Sequence, residues 1–342
     1  MRNILVTGGC GFIGVNFVRY WSNQYPQDKI IVLDALTYAA NPKRIEAIGN
    51  IDLVVGNICD TTLIENILVS YDIDLIVNLA AETHVDRSIS GPDAFLESNV
   101  QGTHSLLKAA RKIWLEGSGR PHRFHQVSTD EVYGSLGPKD PPFTELNSCA
   151  PNSPYSASKA SADHLVRAYH KTYGLDVSVT RCSNNYGPHQ FPEKLIPLFI
   201  KNAIHGVQLP VYGDGLNIRD WLHVEDHCRG IDLVISNASP GEVFNIGGGK
   251  EISNLELINL LCGTVDDIFS ENDILKSRFP NAPAAQNSKT ANLVNFVSDR
   301  PGHDRRYAIN DSLARTILGY KPSVDFKIGF FNTIKDFIES NI

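Results

Sequence analysis

The chain has 342 residues, of which 42% are hydrophobic and 20% charged, and its formal net charge is -7. That describes a folded protein with room for one large domain or two modest ones, and it lacks the basic excess of most nucleic-acid binders. Six scattered cysteines form no CxxC pair, and no Cys/His cluster has zinc-ligand spacing, which excludes a disulfide scaffold and leaves no metal site to expect.

In chain order, the first predicted strand is Ile4-Leu5-Val6. The opening MRNILV is one short apolar run ahead of a glycine loop and does not read as a signal peptide. No apolar stretch reaches the ~18–20 residues that span a bilayer. The expectation is a soluble, cytoplasmic protein with no membrane or nucleic-acid partner.

Gly8-Gly9-Cys10-Gly11-Phe12-Ile13-Gly14 follows that strand and opens a helical pattern over 12–24. Glycines there permit a tight turn and close backbone approach, and the helix start offers unpaired N–H groups to a pyrophosphate. Asp34 ends the next strand, Ile30–Leu33, and lies 20 residues beyond Gly14. Strand, glycines, helix and distant acid together form a dinucleotide fingerprint. An acid at that place binds ribose hydroxyls and repels an extra phosphate, which favours NAD over NADP.

Further β-rich runs at Leu53–Val55, Leu75–Leu79, Phe124–Val127 and Val177–Thr180 alternate with helical patterns such as 98–115. The alternation predicts an α/β fold, a Rossmann-type doubly wound parallel sheet. After Phe124–Val127 come Ser128-Thr129 and two adjacent acids, Asp130 and Glu131, at the strand end where open α/β sheets place their ligand crevice. Ser153-Pro154 then starts a helix running to Gly174, with Ser153 as N-cap. Tyr155 and Lys159 stand one turn apart on one face, an arrangement in which a cation lowers the phenol's pKa.

Regular alternation weakens after about residue 188. LPVYGDG (209–215) and RFPNAPAAQNSK (278–289) suggest a smaller, looser C-terminal part. Val243–Ile246 reads as one more strand, so the chain is expected to return to the first sheet around 220–247. The predicted division is a dinucleotide-binding domain over 1–188 and a smaller mixed substrate domain over 189–342.

These motifs resemble the extended short-chain dehydrogenase/reductase superfamily, and within it the dTDP-glucose 4,6-dehydratases. The resemblance is carried by AAETHVDRSI (80–89), STDEVYG (128–134), SPYSASKA (153–160), RCSNNYGPHQFPEKLIPL (181–198), LPVYGDGLNIRDWLHVEDH (209–227) and DRPGHDRRYAI (299–309). Only 263–298 looks individual. It implies oxidation of C4 of a nucleotide-linked hexose by NAD, loss of water across C5 and C6, and return of the hydride to C6. In the implied roles Tyr155, with Lys159, is the first base, Thr129 bonds the C4 oxygen, Asp130 donates a proton and Glu131 accepts one.

The resemblance also implies cofactor contacts at Gly8, Gly11, Phe12, Ile13, Gly14, Asp34, Thr37, Asn57, Ile58, Ala80, Ala81, Thr83, Ser98, Tyr155, Lys159 and Asn185. It places substrate contacts at His84, Thr129, Asn184, Lys194, Leu195, Pro210, Val211, Tyr212, Arg219, Asn254, Asp299, Arg300 and His303. Arginines suit a diphosphate, because one guanidinium can bond two phosphate oxygens. The chain departs from the family pattern at Asn57 (usually Asp), Cys10 (usually Ala), Ser98 (usually Thr) and Asn310 (usually Asp). A homodimer follows from the resemblance alone.

The alternatives are a UDP-sugar 4,6-dehydratase, a UDP-sugar 4-epimerase or decarboxylase, and a non-catalytic binder of NAD or nucleotide sugars. Epimerases of this superfamily typically lack the Asp-Glu pair, and decarboxylases usually read Ser-Glu there. Neither thymine against uracil, nor hydroxyl against N-acetyl at C2, is legible.

Overall fold

The computed structural model describes residues 1–46 and 48–340. Its strands are β1 (Asn3–Thr7), β2 (Lys29–Asp34), β3 (Ile51–Val55), β4 (Leu75–Asn78), β5 (Arg123–Thr129), β6 (Val177–Cys182), β7 (Asn184–Tyr186), β8 (Leu209–Tyr212), β9 (Ile218–His223), β10 (Val243–Ile246), β11 (Glu251–Ser253) and β12 (Val294–Val297). Seven of them form one sheet in the order β10-β6-β5-β4-β1-β2-β3. Every pairing in that sheet is parallel. The order reverses between β1 and β4, and there the strand ends part to leave a crevice.

The central runs of β1, β2 and β4 are apolar on both faces because both faces are covered. Ile4 and Val6 pack with Val15, Val18 and Ile231, from helices Phe12–Gln24 and Val224–Asn237. Leu5, Ile31 and Ile76 face the other way, toward Ile64, Leu106 and Val166 on helices Thr61–Ser70, Thr103–Ala110 and Pro154–Tyr173. The pattern read as one helix over 98–115 is a two-turn α-helix flanked by wider, π-type turns at Leu96–Gly102 and Arg111–Ser118.

After β6 the chain leaves the sheet and returns to it only as β10, with helix Val224–Asn237 covering one face. A three-stranded sheet, β11-β9-β7, and a parallel pair, β12-β8, belong to the second part. That part is not loose. Phe199, Leu257, Leu261, Phe269, Phe330 and Ile334 form one buried core between helices Leu195–His205, Asn254–Ser270 and Phe326–Glu339. The Gly- and Pro-rich connections conceal these helices, which supply the packing.

Candidate active site

A cleft of about 480 Å³ opens at the C-terminal ends of β1, β2, β4, β5 and β6. All the predicted cofactor residues, from Gly8 through Asn185, line it. The glycine loop is as tight as its composition implies. Gly8 sits at φ +69°, and a Cβ there would lie 2.8 Å from the Ala80 backbone. A Cβ on Gly14 would collide with the Gly8 carbonyl oxygen, so this helix start can press against the loop only without a side chain. Asp34 braces the loop: its two carboxylate oxygens accept the N–H groups of Cys10 (2.9 Å) and Leu36 (2.8 Å). Asn57 turns its side-chain oxygen onto the Cys59 N–H at 2.9 Å. Each of these oxygens keeps a second lone pair for a ligand.

At the opposite end stand Thr129, Glu131, Tyr155, Lys159 and Cys182. The helix carrying Tyr155 starts at Pro154 under a reciprocal cap, in which Ser153 and Ser156 exchange side-chain and backbone hydrogen bonds. Gly174 ends it in the left-handed conformation, φ +76°. Asn99, fully buried, bonds Glu82 through both its backbone groups and donates to the Ser158 hydroxyl at 2.8 Å, which fixes that helix to the cleft wall.

The Tyr155–Lys159 pair differs electrostatically from the sequence expectation. The Lys159 ammonium donates to the Val127 carbonyl at 2.7 Å, and burial lowers its pKa. The Tyr155 phenol is pushed well above its ordinary value, by burial first and then by Glu131 and Cys182; the neighbouring Thr129 hydroxyl pulls the other way. The backbone carbonyl takes one donor of the ammonium, and in the protein alone burial favours the neutral form of the Tyr155 phenol.

The two acids occupy different surroundings. Asp130 is 1% exposed, accepts from the Thr129 hydroxyl at 3.3 Å, and has one carboxyl oxygen with no partner. Burial raises its pKa strongly, and Glu131 and Asp220 add to the rise. Asp130 is not part of the cleft wall. Glu131 is, and its pKa is also raised by burial, but Arg219, Arg300 and Lys194 oppose the rise. The pair therefore favours a proton on Asp130 and a charge on Glu131, the asymmetry that general acid and general base require.

The substrate-side residues gather beyond Glu131. Arg219 is buried, stacks on the Tyr307 ring at 4.2 Å and donates to the Asp304 carbonyl at 3.0 Å. Arg300 pairs with Asp86 at 3.1 Å, and the Tyr212 hydroxyl donates to the same carboxylate at 3.2 Å. Asp299 accepts from the Arg300 N–H at 2.8 Å and meets the His303 ring nitrogen at 2.6 Å. Lys194 donates to the Thr83 carbonyl at 2.7 Å.

Asn184 lines the cleft, and its side-chain oxygen is buried without a partner. His84 caps helix Val85–Ser90 through Nδ1. Pro210 lies in β8, and Asn254 begins the helix that follows β11. Val211 is 2% exposed in the C-terminal core, and Leu195 packs against that core, so neither lines the cleft.

Sequence reasoning missed Glu82, Cys182, Gln190, Phe191 and Glu193 in the cleft wall, and Asp86, Asp304 and Tyr307 around the arginines. Several stand beside chosen residues: Glu193 precedes Lys194, and Asp304 follows His303. Among the described residues no three His, Cys, Asp or Glu side chains are placed to hold a metal ion.

The family model described as GDP-mannose 4,6 dehydratase matches residues 5–333. The chain is 48% identical to the dTDP-glucose 4,6-dehydratase of Escherichia coli, over 97% of this chain and 92% of that one. DesIV, a dTDP-glucose 4,6-dehydratase from Streptomyces venezuelae crystallised with NAD and TYD bound, matches at TM-score 0.87 and 44% identity, over 99% of this chain and 97% of DesIV. The UDP-glucose 4-epimerase of Thermotoga maritima matches at TM-score 0.83 but 26% identity, over 99% of each chain. Overall fold thus barely separates dehydratase from epimerase, while identity does. With Asp130 and Glu131 at the end of β5, and relatives this similar over nearly the whole length, the chain belongs to the dTDP-glucose 4,6-dehydratase family of the extended short-chain dehydrogenases/reductases.

Proposed function

We propose that the protein converts dTDP-glucose to dTDP-4-keto-6-deoxyglucose and water, with NAD as its resident cofactor. One observation carries this reading above the others. Two adjacent carboxyls stand at one strand end, burial raising Asp130 strongly while cations hold back the rise at Glu131, which shares its cleft with a buried tyrosine. An epimerase needs only the tyrosine.

The glycine loop, Asp34 and Asn57 fit the adenosine and pyrophosphate end of a dinucleotide, and Tyr155, Lys159 and Asn185 the nicotinamide end. When bound there, NAD supplies reversible hydride acceptance and, with the positive charge of its nicotinamide ring, favours a phenolate. Tyr155 takes the proton from the C4 hydroxyl while Thr129 bonds the C4 oxygen. The resulting ketone acidifies the C5 hydrogen, and Glu131 removes it. Asp130 protonates the departing C6 hydroxyl, a step that requires its carboxyl to turn from Thr129 toward the cleft. Arg219 and Arg300 hold the diphosphate, and in doing so keep positive charge beside Glu131.

The division into a dinucleotide part over 1–188 and a substrate part over 189–342 belongs to this proposal. So do a homodimer and a cytoplasmic location, both carried by the family. Among the described residues no helix is long and apolar enough to cross a membrane.

The test is incubation with dTDP-glucose, UDP-glucose and UDP-N-acetylglucosamine in separate reactions, read by product mass. Loss of one water from dTDP-glucose is expected. An unchanged mass with an inverted C4 centre would establish an epimerase instead.

A further inference from the structure

Two loops distant in sequence meet at the rim of the dinucleotide cleft. The loop after β2 gives Thr37, Ala39 and Ala40 to the cleft wall, and the loop after β7 gives Phe191 and Glu193. Tyr38 joins them. Its hydroxyl donates to Glu193 Oε1 at 2.9 Å, and its ring meets Phe191 edge-on with centroids 5.4 Å apart. The Arg87 guanidinium lies 3.9 Å from the centre of the same ring. His84 stands 4.0 Å from the other Glu193 oxygen. Tyr38 is 41% exposed and belongs to no apolar core, so core packing does not account for its three partners.

We propose that Tyr38 is a latch that ties the loop after β2 to the loop after β7 and retains the dinucleotide from one turnover to the next. This rests on the dinucleotide reading of the cleft and goes beyond it. The chemistry favours such a device. The hydride taken from C4 is given back at C6, so the cofactor finishes each cycle as it began and has no reason to leave. Tyr38 touches no reacting atom; it is a positioning residue, acting through the loops.

Retention is measured on holoenzyme by mixing it with excess isotopically labelled NAD and following exchange by mass spectrometry. Tyr38→Phe keeps the ring and loses the bond to Glu193; it should exchange about fivefold faster than wild type. Tyr38→Ala loses the ring contacts as well and should exchange more than about tenfold faster. Arg87→Ala, which removes the stacked cation, should exchange about two- to threefold faster. With NAD saturating, kcat and the unfolding midpoint of Tyr38→Phe should stay at wild-type values, which separates a latch from general damage. Wild-type exchange in Tyr38→Phe and Arg87→Ala would overturn the latch while leaving the dinucleotide reading intact. A wild-type protein that neither carries nor takes up NAD would overturn that reading, and the latch with it.

Discussion

At Glu131, burial and three cations work against each other. Burial raises its pKa, while Arg219, Arg300 and Lys194 hold the rise back. Next to it, Asp130 has burial and two carboxylates on one side, against Arg219 and a hydroxyl on the other. The base must be charged and the acid protonated, so activity should fall as pH drops through the raised Glu131 value and again as pH climbs through that of Asp130. Glu131→Gln cannot accept the C5 proton. Its turnover should drop by about 10²–10⁴-fold, and quenched reactions should hold a C4-oxidised nucleotide sugar that retains its C6 hydroxyl. Wild-type turnover in that variant would refute the role of Glu131. Tyr155→Phe should stop earlier, with no transient reduced-nicotinamide absorbance on mixing with substrate. The residue types and the spacing of this site were legible in the sequence. The upward push on the Tyr155 phenol was not, because it comes from burial first, and because Lys159 bonds the Val127 carbonyl, an acceptor that leaves no mark in side-chain identity.

Elements set how firmly these residues are held. Ser153→Ala removes the cap beneath Tyr155 and should cost about 1 kcal/mol of stability, with a larger effect on kcat than on KM because the tyrosine is two residues away. Gly14→Ala should abolish NAD retention while the chain still folds, since the collision with the Gly8 carbonyl opens the loop rather than the core. Equilibrium uptake of NAD, read by calorimetry, checks it. All seven strands of the main sheet were readable because each carries a short β-branched or apolar stretch between helical patterns. The three-residue strands β7 and β11 were not, being too short and too polar to show a period.

Between β5 and β6 the sheet also buries a histidine. His125 contacts the hydroxyls of Ser178 (2.9 Å) and Thr180 (3.2 Å), and burial lowers its pKa to about 3; burial does the same to His227 nearby. An imidazole whose folded pKa is depressed stabilises fully above its unfolded value of about 6.5. That contribution is lost as pH falls toward 3. Urea unfolding should therefore weaken already between about pH 6.5 and 5, before carboxylates protonate, by of order 2 kcal/mol per histidine. Equal stability at both ends of that window would assign acid sensitivity elsewhere.

On the scale of the whole molecule, the site is a joint product of the seven-stranded sheet and of segments outside it. The parallel sheet supplies the acids from the end of β5 and the tyrosine from helix Pro154–Tyr173, while β9 and the 299–307 segment supply the cations and aromatic rings around Glu131. No local pattern could disclose that convergence, since Arg219 and Glu131 are 88 residues apart and periodicity carries no information across such a distance. Arg219 therefore has two separable effects. In its proposed role as a diphosphate ligand it would lower KM; as a buried charge it holds down the pKa of Glu131. Arg219→Gln should raise KM, an effect that excess substrate overcomes. It should also move the acid limb of the kcat profile upward, because removing a cation lets burial raise the Glu131 carboxyl further, and saturation cannot reverse that. The direction is decisive: a limb that stays in place at saturating dTDP-glucose would make Arg219 a substrate ligand alone, and would leave Arg300 and Lys194 as the groups that keep the base ionised.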